Sequence, residues 1–168
     1  MRRVTGILLM GLLGFLVTAC AEDDRPSDGL AVVVGVVDGD TIDVEIEGRT
    51  ERVRLIGIDT PETKRPDAPV ECHGPEASAF TAGVLPPGTV VRIERDIVGR
   101  DHYGRLLGYV HLVDDTGRPS TFVNLEIVRR GHATPMSIEP NTTFARVIAA
   151  AARAAEADDL GLWAACSP

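Results

Sequence analysis

The chain has 168 residues with a formal net charge of −8, a length that suits one domain plus a short targeting segment. Hydrophobic content of 44% is enough for a core, and aromatic content of 4% means that Val, Ile, Leu and Ala must build it. The acidic balance excludes a protein that wraps nucleic acid by bulk electrostatics, which would be basic. Attraction to a polyanion would have to be local.

Arg2 and Arg3 precede an apolar run from Ile7 to Val17 that is short for a bilayer span. The run ends in Val17-Thr18-Ala19-Cys20, which resembles a lipobox. Residues 1–19 therefore read as a lipoprotein signal peptide, Cys20 as the lipidated new N-terminus, and residues 20–29 as a polar tether. The alternative is an ordinary cleaved signal with Cys20 near the cut. Lipid on Cys20 would hold the chain on an extracytoplasmic membrane face, at the cell surface or on the periplasmic side. Loss of Arg2 and Arg3 with the signal would take the net charge to −10.

The folded domain is expected over residues 30–168. Leu30 to Val37 is a β-branched run broken by Gly35, a strand with a bulge or sharp coil. Asp38-Gly39 is a hairpin signal. Thr41 to Glu47 alternates as a half-exposed strand, Glu47-Gly48 turns the chain, and Glu51 to Ile58 is a third strand. Pro61, Pro66 and Pro69 mark an irregular loop. Pro75 to Leu85 reads as a helix with Ala77, Phe80, Thr81 and Val84 on one face. Strands follow over Thr89 to Ile97 and Arg105 to Val113. After the Asp114–Gly117 turn, a second helix is expected from Ser120 to Arg130, and a third from an Asn141 cap to about Ala157, with Phe144, Val147, Ile148 and Ala151 inward. This order predicts an α+β domain, mainly β: a five-stranded Greek-key barrel of OB type with three packed helices.

With Cys20 taken by lipid, Cys72 and Cys166 remain. In an exported protein an even pair points to a disulfide, against two unpaired thiols as the alternative. His73, His111 and His132 join no metal-ligand spacing and read as surface or packing residues, and Trp163 as cover for the third helix.

Three motifs carry chemistry: Asp38-Gly39-Asp40-Thr41, Arg54 followed by Asp59-Thr60-Pro61-Glu62, and Asp101-His102-Tyr103-Gly104-Arg105. Cleaving a phosphodiester needs a cation, an activated water and guanidiniums that hold the phosphoryl oxygens as charge builds. Asp40 and Asp59 could hold a cation at a hard-oxygen site of the Ca²⁺ kind, Glu62 could activate water, and Arg54 and Arg105 could clamp phosphate. Other readings stand beside these. Asp38-Gly39 alone is common turn chemistry, and Arg54 could point outward to pair with Glu51 or Asp43.

Taken together, the motifs resemble the thermonuclease (staphylococcal nuclease) family. The likeness spans about residues 31–163 and extends to Gly74–Thr81, Val123-Asn124, Val128–Gly131, Pro140-Asn141 and Leu162-Trp163. The resemblance implies a Ca²⁺-dependent, OB-fold nuclease that hydrolyses DNA and RNA to 3′-phosphate ends. It implies Asp40 and Asp59 as metal carboxylates, Thr60 as the donor of a backbone carbonyl, Glu62 as proposed general base, Arg54 and Arg105 as transition-state arginines, and Tyr103 as a substrate-pocket residue. His102 stands where the family's type member has Lys, which would weaken the local pull on the substrate. Residues 133–139 lack the type member's base-stacking tyrosines, a contact worth roughly 1–3 kcal/mol per base; Met136 or Ile138 could fill that wall. The expected partners are DNA, RNA or both as substrate and a membrane through Cys20, with the chain monomeric. The competing reading is a non-catalytic OB-fold surface lipoprotein that binds nucleic acid or protein, or serves as a scaffold.

Overall fold

The computed structural model describes residues 29–66 and 68–166; the signal peptide, Cys20 and all of the tether but Gly29 lie outside the described residues. Three consecutive strands open the domain as an antiparallel meander: β1 (Leu30–Asp38), β2 (Thr41–Ile46) and β3 (Arg49–Leu55). β1 slips register between Val33 and Gly35, where the sequence placed a bulge. Positive φ at both Glu47 and Gly48 turns β2 into β3, the backbone that suits a right-twisted hairpin. β5 (Val90–Glu94) pairs with β1 and with β6 (Leu106–Val113). β6 then pairs in parallel with β3, Val53 opposite Leu106. That contact closes β1, β2, β3, β5 and β6 into a five-stranded barrel of OB type. Val33, Ile42, Val44, Val53, Leu55 and Val110 are essentially solvent-free inside it.

β3 does not run on to Ile58. It breaks at Ile56, and β4 (Gly57–Asp59) leaves the barrel to pair antiparallel with β8 (Thr134–Met136), Asp59 opposite Thr134. Gly57 takes φ +84°, and a Cβ there would lie 2.6 Å from the Ile148 side chain. Only glycine allows both the turn and the close approach. Asn124, fully buried, stitches the break: its Oδ1 accepts from Val110 N (2.9 Å) and its Nδ2 donates to Ile56 O (2.9 Å).

Helix α1 (Gly74–Val84) buries Ala77 and Thr81, and Thr81 Oγ1 donates to Gly39 O at 2.7 Å. The second helix is shorter than expected. Residues Pro119–Phe122 form β7, a hairpin partner of β6 across the Asp114 turn, and α2 is Val123–Arg129. Strand pairing wins those residues because the turn returns them to the open edge of β6.

Helix α3 (Ala145–Ala157) is not capped by Asn141. Asn141 is 1% exposed and bonds both ways to the backbone of Val98, accepting at 2.8 Å and donating at 2.8 Å. Asp96 instead holds the approach to α3 through Thr143 N and Oγ1, each at 3.0 Å. Ile148, Ala152 and Ala155 form the buried face, while Val147 is exposed, contrary to the expected face. A fourth short helix, α4 (Leu162–Ala165), follows and carries half-buried Trp163. The Cys72–Cys166 disulfide ties its end to the loop before α1, with Cα atoms 5.9 Å apart. Among the described residues no helix is long and apolar enough to cross a membrane.

Candidate active site

One face of the barrel carries a cleft of about 370 Å³ where the β1–β2 turn, the β4 exit and the β5–β6 connection meet. Asp40, Arg54, Asp59, Thr60, Glu62 and Arg105 all line it, together with Tyr103 and Met136. His102 does not; its ring packs on Tyr103 at 3.7 Å.

The turn is built to aim Asp40 at the strand exit. A Cβ on Gly39 would lie 2.7–2.8 Å from side-chain atoms of Thr60, so the absence of a side chain lets the two loops touch. Asp40, 6% exposed, accepts through Oδ2 from Thr60 N (2.9 Å) and Thr60 Oγ1 (3.1 Å). Its Oδ1 accepts from the Thr41 hydroxyl at 3.1 Å.

Arg54 points inward. Its Nη1 donates to Leu55 O (2.6 Å) and Ile58 O (2.9 Å), and its Nη2 meets Asp59 Oδ1 at 2.9 Å and Asp40 Oδ2 at 3.2 Å. The outward pairing fails because Asp43 is taken by Arg52 and Glu51 by Arg100. A 5%-exposed charge needs such a cage, and the carbonyls that form it exist because the backbone breaks at Ile56.

Carboxylates are in excess here. Burial, then the charge of neighbouring Asp40, pushes the Asp38 carboxyl up to about 6. Burial also raises Asp59, outweighing the opposing pull of Arg54. Crowded acids that resist ionising mark a place where a hard dication would relieve charge, so the donor set fits a Ca²⁺-type ion. Among the described residues no three His, Cys, Asp or Glu side chains form a ready-made cage. Asp40 and Asp59 would therefore be the protein carboxylates, and water and phosphate oxygens would complete the 6–8 ligands that Ca²⁺ takes.

Glu62 accepts twice on one oxygen, Oε1, from Lys64 N (2.6 Å) and Thr63 N (2.8 Å). The bond from Lys64 above all, with that from Thr63, holds the carboxyl below its usual range. Arg105 is set by Asp101, which accepts from its backbone N (2.9 Å) and from Nε (2.7 Å). The guanidinium carbon also lies 5.4 Å from the centroid of the Tyr103 ring, which is 74% exposed. Arg65 and Glu71, which the sequence did not single out, line the same cleft. Their only advance signal was position in the loop after Glu62.

The family model described as "Staphylococcal nuclease homologue" matches residues 52–165. The chain is 39% identical to a thermonuclease of Staphylococcus intermedius over 132 residues, covering 79% of this chain and 74% of that one. It is 37% identical to a thermonuclease of Staphylococcus hyicus over 131 residues, 78% and 73% of the two chains. It is 34% identical to endonuclease YncB of Bacillus subtilis over 128 residues, 76% and 58% of the two.

Proposed function

Because the chain belongs to the staphylococcal nuclease homologue family, we propose that it is a nuclease that needs Ca²⁺ and hydrolyses DNA and RNA to 3′-phosphate ends. The observation that carries the reading is that one cleft gathers Asp40, Asp59, Glu62, Arg54 and Arg105. A cation held by Asp40, Asp59 and the Thr60 carbonyl would offset phosphate charge.

The protein's own groups do the rest. Both hydrogen bonds on Glu62 fall on Oε1, so Oε2 is the atom that takes the attacking water. Held below its usual range, Glu62 is a carboxylate throughout neutral pH, which suits it to orienting that water as the P–O bond forms; the same two hydrogen bonds make it a weaker base, so orientation is its larger share of the role. Arg54, its Nη1 fixed on backbone carbonyls and its Nη2 held between Asp40 and Asp59, would lend its fixed positive charge to one phosphoryl oxygen. Arg105, fixed through Nε by Asp101, meets another. Donors held rigidly before charge develops stabilise it without reorganisation. Tyr103, with His102 packed on its ring, borders the cleft as a platform for the substrate. Lipid on Cys20 would place this monomeric enzyme on an extracytoplasmic membrane face.

The test is digestion of plasmid DNA and of RNA, with Ca²⁺ and with EGTA. Cleavage of both only with Ca²⁺ is expected. Glu62→Gln and Arg105→Ala should lower kcat by roughly 10²–10³-fold or more while melting close to the parent. Full turnover in either variant refutes its assigned role, and no digestion under any condition favours a non-catalytic OB module.

A further inference from the structure

A second cavity, of about 300 Å³, opens beside the cleft and shares Asp59, Thr60 and Glu71 with it. Pro61, Thr134, Leu162 and the Cys72–Cys166 disulfide complete its wall. The two spaces differ in charge. The cleft is lined by Arg54, Arg65 and Arg105, whereas no residue lining the second cavity is basic, and its charged ones, Asp59 and Glu71, are acidic. A phosphate finds partners in the first and repulsion in the second. An uncharged ring and sugar find methyl, pyrrolidine, Leu and sulfur surfaces, in a space at the low end of ligand-pocket volumes. Asp59, Thr60 and Glu71 form the ridge that borders both, so a group bonded to a phosphate in the cleft can reach across.

We propose that this cavity binds the sugar and base of the nucleotide adjoining the scissile phosphate, with the disulfide as its far wall. The proposal rests on the nuclease reading. The fold assembles the wall from three distant segments. β4–β8 pairing sets Thr134 opposite Asp59. Leu162 N donates to Gly131 O at 2.8 Å and Cys166 N to Leu162 O at 2.9 Å, which seats α4. The disulfide then closes α4 on the loop that carries Glu71. Recognition here is by apolar contact rather than by a pattern of donors and acceptors, so the cavity tolerates different bases. It supplies grip on the substrate on the side of the ridge away from Tyr103.

The test uses the full chain with Ca²⁺ and two substrates: a short oligonucleotide, and methyl p-nitrophenyl phosphate, which carries no nucleoside. Leu162→Trp, which fills the cavity, should raise KM for the oligonucleotide about tenfold, a loss of about 1.4 kcal/mol of contact, with kcat nearly unchanged. Its kinetics on the small ester should match the parent's. In parallel, uncharged thymidine titrated into the parent protein should shift the amide resonances of Thr134 and Leu162, a readout that needs neither catalysis nor a folded variant. An unchanged KM in a variant that melts like the parent, or a titration that leaves both amides unmoved, overturns the subsite. A parent that cleaves neither substrate refutes the nuclease reading, and the thymidine titration still decides whether the cavity takes a nucleoside.

Discussion

At the scale of single residues, Arg54 carries two duties that are separable by measurement. It neutralises buried Asp40 and half-exposed Asp59, and it is the guanidinium proposed to meet phosphate. Arg54→Met keeps the volume and removes the charge, leaving Asp40 buried beside another carboxylate. Breaking a buried pair in this way costs about 3–5 kcal/mol. The unfolding free energy of Arg54→Met, measured by urea titration, should fall by that amount without Ca²⁺ and recover part of the loss with it, since a dication would replace the missing charge. A variant that unfolds like the parent would show that Asp40 is satisfied by Thr60 and Thr41 alone. The sequence exposed Arg54 as an anomaly, a charge inside an apolar strand. It could not give the direction, because that depends on which acceptors the broken backbone offers.

At the scale of elements, the barrel strands were legible because β-branched alternation and Asp-Gly or Glu-Gly turns are local signals. What escaped was non-local. β8 is three residues containing a proline and becomes a strand only because β4 needs a partner. Ser120–Phe122 continues the apolar pattern of α2 and pairs as part of β7 only because a turn returns it to β6. Asn141 had the look of a cap but is spent on Val98. Asp40, Arg54, Asp59, Glu62 and Arg105 were legible as residues, yet Arg65, Glu71 and the second cavity needed the loop's path.

The histidines belong to this scale as well. His73, just before α1, meets His132, just after α2, at 2.9 Å between ring nitrogens, and Phe80 stacks on His132 with centroids 4.3 Å apart. Burial first, then the neighbouring charges of His73 and Arg130, holds His132 below its usual 6.5, with Glu76 opposing. A folded value below the unfolded one means that the stability contribution is complete above pH 6.5. It is lost as pH falls from there through the folded value. Asp38, raised to about 6, gains stability as pH falls over the same range, so the histidine contribution is read as a difference: between pH 7.5 and 5.5 the parent's urea midpoint should fall relative to that of a variant without the titrating ring. His132→Phe, which keeps a ring on Phe80 but cannot titrate, is that variant. Equal slopes would remove the histidine pair as the cause.

At the scale of the whole molecule, an acidic chain that handles a polyanion must confine attraction to a few fixed arginines, and so its rigidity has to come from the fold. The barrel is closed by hydrogen bonds, but the C-terminal helix pair and residues 61–66 and 68–73 sit outside it. A single covalent link holds them together. Cys72 and Cys166 are 94 residues apart, and cross-linking a loop of about 100 residues removes about 4.7 kcal/mol of denatured-chain entropy in the chain-entropy model, with measured removals nearer 2–5. Replacing both cysteines by serine should therefore lower unfolding stability by about 2–5 kcal/mol. Treating the parent with a phosphine reductant should bring its urea midpoint to that of the double variant. Because the link joins α4 to a loop rather than crossing the barrel, the barrel core should fold in both. The amide-exchange protection of Val44, Val53 and Val110 should persist under native conditions, while that of Leu162 and Cys72 or its serine is lost first. A double variant with an unchanged midpoint would mean that packing of Leu162 and Trp163 alone seats the C-terminus.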